Sequence, residues 1–285
     1  MKYKLTNESK TNVFGKKFFR VKALVDIERY SVKAGDLGGW IEKEDNLSQN
    51  GDAWVCGNAQ VSGDAKISGN ARVCDDAIIC GKARIYGVAQ VYGNACVYSK
   101  AQVSGAAQVY GDAKVYGDAW VYDNTRVYGD AWVYDNARVY GDAWVSGNAQ
   151  VSDNAQVYGD AEVYGNAQVA GNASVYGDAE VYGNVQVSGN ARVSGDAYMG
   201  GDAHVFSNMD YATIKGFGNE CKTTTFFRCQ DGGVKVSGDD FYGTIDEFRD
   251  HVKQIRNDKI ANEYLKIADL MEYHFKKGLS PNSIS

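Results

Sequence analysis

The chain has one proline, Pro281, among 285 residues, and no apolar run approaching the length of a bilayer span. The scarcity of proline excludes proline-rich linkers. It also excludes collagen despite 33 glycines, because collagen needs glycine at every third position with abundant proline. The lack of a long apolar run predicts no membrane-spanning helix, and no membrane partner is expected. Polar sequence follows Met1-Lys2-Tyr3-Lys4, so no secretory signal is read there. The expected location is therefore cytoplasmic, with the six cysteines as free thiols. Basic residues are outnumbered, 30 to 36, and a net charge of −6 argues against direct nucleic-acid binding through phosphates.

What the chain has in abundance is one pattern. Alanine recurs at every sixth position from Ala53 to Ala203, replaced only at Thr125 and Val185, through 26 hexads without insertion or deletion. Two residues after each comes Val or Ile, with Met199 the one exception. A six-residue period fits short strands that turn Ala and Val inward and alternate residues outward. Gly-Asn and Gly-Asp pairs supply the corners, since both tolerate positive φ. Three sides close a coil of about 18 residues, and residue i lies beneath i+18.

An aliphatic residue followed four positions later by a small one, as in Val55 to Ala59 and Val61 to Ala65, resembles the hexapeptide-repeat family. That resemblance implies a mainly β fold, a left-handed parallel β-helix of about nine coils. Gly38-Gly39-Trp40-Ile41 is similar to the lead-in of bacterial and phage-like proteins labelled hexapeptide acyltransferases or polymer-forming proteins.

Around the helix, residues 1–36 are expected as an N-terminal β cap, with 13–32 read as its β element, and 37–208 as the β-helix. Ile41 and Leu47 already sit six apart, with a two-residue irregularity before Val55. Residues 209–243 form a hairpin segment around Asp231-Gly232-Gly233. Residues 244–285 carry two helices, the first opened by a Thr244/Glu247 capping box. This α+β end resembles segments appended to repeat proteins in phage-like or mobile-element sequences.

The hexapeptide resemblance raises acyl transfer as an alternative function, performed in that family by a histidine near a loop expelled from the coil. Here the hexads expel no loop, and His204, His251 and His274 are dispersed. No catalytic residue, cofactor or metal site is expected. Cys56 and Cys74 stack 18 apart, but with no C-x-x-C spacing they are read as inert packing.

Function is sought on the outer ladders. Tyrosine follows the inward Val in 13 of the 26 hexads, broad enough to suggest a binding or self-assembling surface, or an aromatic platform for glycans. The sharper signal is charge. Residues 51–208 hold 17 acids against nine bases, and one corner stacks Asp142, Asp160, Asp178 and Asp196 where the other two carry asparagine. Glu162 and Glu180 adjoin it, flanked by Trp144, Tyr164 and Tyr182. Since Asn and Asp serve turns almost equally, geometry does not explain the sorting. The expected function is a non-enzymatic scaffold docking this acidic, aromatic-flanked stripe on a basic protein surface. One version mimics nucleic-acid charge to occupy a nucleic-acid-binding protein, as a phage or mobile-element inhibitor of host defence would. A basic patch (Lys66, Lys82, Arg84, Lys100) offers a second contact, and a homo-oligomer is expected.

Overall fold

A computed structural model describes residues 1–217, 222–238, 241–255 and 258–277. Every hexad forms a two-residue strand core, giving 26 strands from β4 (Trp54–Val55) to β29 (His204–Val205). Each pairs in parallel with the strand one coil away at an offset of 18 residues, as in Gln90↔Gln108 and Val145↔Val163. The result is a β-solenoid with three sheets of 12, nine and eight strands. Its interior is one continuous column of Ala and Val, and Thr125, Val185 and Met199 are buried in the same column. Each strand deposits one aliphatic side chain in the column, mostly the branched Val, and a small alanine usually fills the neighbouring inward position, where Thr125 and Val185 are also accommodated.

The corners use the left-handed backbone. Gly147 has φ +63°, and a Cβ there would meet the Gly165 amide nitrogen at 2.9 Å. Where Asp153 takes that role at φ +57°, its carboxylate accepts a hydrogen bond from the Gly171 N–H at 2.9 Å.

The N-terminal cap is an antiparallel hairpin, β1 (Tyr3–Thr11) and β2 (Lys17–Ala23), continued by β3 (Leu37–Ile41). This corrects the expected β element over 13–32, because residues 13–15 are the hairpin turn. The first coil joins the regular stack with the two-residue irregularity read from the sequence: Ile41 pairs with Val61 and Leu47 with Ile67, offsets of 20.

At the other end, β30 (Tyr211–Ile214), β31 (Thr224–Arg228), β32 (Val234–Gly238) and β33 (Phe241–Thr244) form an antiparallel sheet across the last coil. Alternation along β31 places Phe227 in the solenoid core and Phe226 in a second core. The second core is completed by α1 (Ile245–Val252) and α2 (Asp258–Lys277) through Phe248, Val252, Met271 and Phe275. Thr244 and Glu247 form the capping box read from the sequence, but Ile255 lies beyond α1. The expected stop of α2 at Gly278 lies outside the described residues.

Arg249 on α1 ties the helices together, reaching Asp246 and Asp269 at 2.9 Å and Glu272 at 2.5 Å. Lys276 and then Arg249 hold the Glu272 carboxyl at about 2, against an ordinary 4.5. A depressed carboxyl stabilises the fold above its unfolded value, and that contribution is lost as pH falls through the folded one. Far-UV circular dichroism should therefore show the helical end weakening between about pH 4.5 and 2. Lys276→Met should show a smaller acid-dependent loss, and an unchanged acid profile would contradict the assignment.

Candidate functional site

The corner and face singled out by charge are built by the 18-residue register. Along one sheet the outward ladder runs Arg126, Trp144, Glu162, Glu180 and Tyr198, each paired with the next. Asp142, Asp160 and Asp178 stand exposed at the corner entering those strands, and Asp196 is half-buried at the end of the row. The register thus gathers all nine sequence-predicted residues along one edge of the solenoid.

From Asp142 onward the three corners differ chemically. At two of them asparagine amides form ladders: Asn148 donates to Asn166 and Asn166 to Asn184, both at 3.0 Å, and Asn154 donates to Asn172 at 3.3 Å. At the third, Asn124 donates to Asp142 at 3.0 Å, and there the chain of donors ends, because an ionised carboxylate only accepts. Four carboxylates then follow at strand spacing, about 4.8 Å. Among the described residues, the cation ion-paired with this row is Lys215, which meets Asp196; Thr223 also donates to Asp196 at 3.2 Å. Lys215 holds the Asp196 carboxyl below its usual range.

The flanking groups are half-buried. Burial raises the Glu162 pKa, and the Glu180 charge raises it further. Tyr164 donates to Glu180 at 3.2 Å, and burial followed by that carboxylate pushes its phenol up. Tyr182 stacks on Tyr164 at 5.4 Å and leans on Tyr198 at 4.8 Å, its ring against Gly200 where no Cβ fits. The Arg126 guanidinium lies 4.7 Å over the Trp144 ring. Asp196 is thus partly committed to the C-terminal cap and Tyr182 to the last coil, while Asp142, Asp160 and Asp178 remain outward.

Sequence reasoning missed Lys215, Thr223, Arg126 and Tyr198. Arg126 and Tyr198 lay within reach of the same 18-residue arithmetic, whereas Lys215 and Thr223 sit in non-repeating chain with no spacing to reveal them.

The tyrosine ladders stack face to face. Tyr122, Tyr140, Tyr158 and Tyr176 are 4.8–5.0 Å apart and within 4° of parallel. Each ring covers the face of its neighbour, leaving edges and hydroxyls outward, whereas a sugar platform needs an open ring face.

The Cys56 and Cys74 sulfurs are brought within bonding distance, with Cα atoms 4.5 Å apart, where free thiols were expected. Stacking on adjacent coils brings them together. Cys80, Cys96 and Cys229 are free, and Cys221 lies outside the described residues. His204 stands on the last coil, His251 on α1 and His274 on α2. Among the described residues no three His, Cys, Asp or Glu side chains are placed to hold a metal ion.

Six stretches, residues 65–81, 89–105, 107–123, 131–147, 155–171 and 185–201, match a family model described as the YdcK β-solenoid repeat. Each covers about one coil, and the chain is a repeat β-solenoid of that general kind. No curated protein matches the chain.

Proposed function

We propose that this solenoid is a non-enzymatic binding scaffold whose acidic edge docks on a basic protein surface, of the kind that binds nucleic-acid phosphates. The observation that carries the reading is the interrupted amide ladder. From Asp142 onward two corners are stitched by asparagine, while the third stacks carboxylates that repel one another, and among the described residues the cation paired with them is Lys215 at one end. Such a row gains stability when an outside cation approaches. Rigid presentation at regular spacing gives register and on-rate more than raw affinity. Glycan binding fits less well, because the stacked rings hide their faces from a sugar.

Two variants test the reading. Asp160→Asn with Asp178→Asn lengthens the amide ladder; it should raise thermal stability by about 0.2–1 kcal/mol per rung and weaken docking. Asp160→Lys, Asp178→Lys and Glu180→Lys together should abolish capture of basic proteins, with circular dichroism unchanged. Capture should be weaker at high than at low salt. A triple variant that retains the same bound set at both salts would sink the proposal.

A further inference from the structure

We propose that the tip of the N-terminal hairpin is an interfacial anchor for anionic lipid bilayers, with Val13 and Phe14 entering the boundary between headgroups and acyl chains. This inference does not rest on the acidic edge. The two side chains are 94% and 90% exposed, the most exposed large apolar groups described. The turn that carries them is rigid. Asn12 Oδ1 accepts from the Phe14 and Lys16 N–H groups at 3.0 and 2.9 Å, and the Asn12 N–H donates to the Lys16 carbonyl at 2.9 Å. Gly15 closes it at φ +76°. That geometry is set by Asn12 and Gly15, so the turn itself has no need of apolar residues between them.

Charge specifies the partner. Residues 1–23 carry Lys2, Lys4, Lys10, Lys16, Lys17, Arg20 and Lys22 against Glu8 alone, a net +6 in a chain of net −6. Lys2 is buried and Lys16 pairs with Glu42 at 3.0 Å, but Lys17 beside the tip is exposed. Shape narrows the choice further. A convex two-residue tip covers far less than the roughly 800 Å² per partner of a stable protein interface, whereas a fluid bilayer closes around it. Basic charge plus inserted apolar groups is the two-signal arrangement that makes interfacial binding effective. No described helix is long and apolar enough to cross a membrane, and surface docking requires none. The inference departs from the expectation that no membrane is involved, which rested on the missing spanning run.

The test is flotation of the full chain with vesicles of phosphatidylcholine alone or mixed with phosphatidylglycerol. Wild type should float with the anionic vesicles and release as salt rises. Val13→Ser with Phe14→Ser should bind about tenfold more weakly, and Lys17→Glu should also weaken binding. Equal flotation with both lipids, or flotation indifferent to the serine variant, would overturn the proposal. So would sedimentation in which lipid-free wild type is an oligomer that the serine variant dissociates, since the tip's occupant would then be a second copy.

Discussion

Val133→Asp is expected to divide the solenoid. Val133 lies near the middle of the 26 strands, fully buried in the aliphatic column. A carboxyl there meets Ala and Val and finds no hydrogen-bonding partner, a defect costing on the order of 4–5 kcal/mol. In a solenoid each coil touches only its neighbours, so the loss falls on two interfaces and is not shared across the molecule. The expected outcome is melting in two steps where wild type melts in one, with protease cleavage near the altered coil. The adjacent outward Trp132, with Lys114 4.6 Å over its ring, supplies the contrast. Trp132→Ala removes one half-buried cation–π pair and an edge contact with Tyr116, and should cost about 0.5–1 kcal/mol. If the two substitutions melted alike, the inward assignment of valine would be wrong.

Tyr3→Ala should release the N-terminal cap. Tyr3 is fully buried, and its hydroxyl shares its one hydrogen between the Glu44 and Leu47 carbonyls at 2.8 and 2.7 Å, joining the first strand to the first coil. Truncation should cost about 3–5 kcal/mol, enough to expose the strand edges that the cap covers. Self-association in sedimentation is the expected consequence, and a monodisperse variant with wild-type melting would refute it.

Tyr3→Phe separates the hydroxyl from the ring. Burial, with Glu44 and then Asp45 adding to it, pushes the phenol from 10.0 up to about 12. The neutral form belongs to the folded state, so its contribution is complete below pH 10 and lost as pH rises toward 12. Phe at this position should lose about 1–3 kcal/mol at neutral pH, chiefly through the Leu47 carbonyl, since the Glu44 carbonyl still accepts from the Leu47 N–H at 3.2 Å. It should also remove that alkaline dependence.

The repeat made much of this molecule legible. Ala53 through Ala203 fixed the interior, and the 18-residue offset fixed which outward side chains meet, including the sorting of Asp142, Asp160 and Asp178 against Asn148 and Asn154. The caps were harder to read, because their contacts join residues far apart in non-repeating chain. Lys215 meeting Asp196 and Thr225 Oγ1 accepting from the Tyr198 N–H at 3.0 Å have no period to betray them. Val13 and Phe14 were misplaced for a local reason: apolar character suggested strand, while the turn chemistry of Asn12 and Gly15 decided the outcome. For Cys56 and Cys74 the stacking was visible, but the inference from compartment outweighed it.

Neither cap senses how many coils lie between them. The N-terminal hairpin contacts the opening rungs and the C-terminal sheet the closing ones, through pairs such as Lys235 and Asp202 at 2.5 Å. Gaining or losing one 18-residue unit near Val133 would leave both terminations chemically untouched. Such a change would alter the molecule's reach by one strand spacing, about 4.8 Å. The body is thus a ruler graduated in single coils, with the separation between hairpin tip and acidic edge open to adjustment without redesign of either.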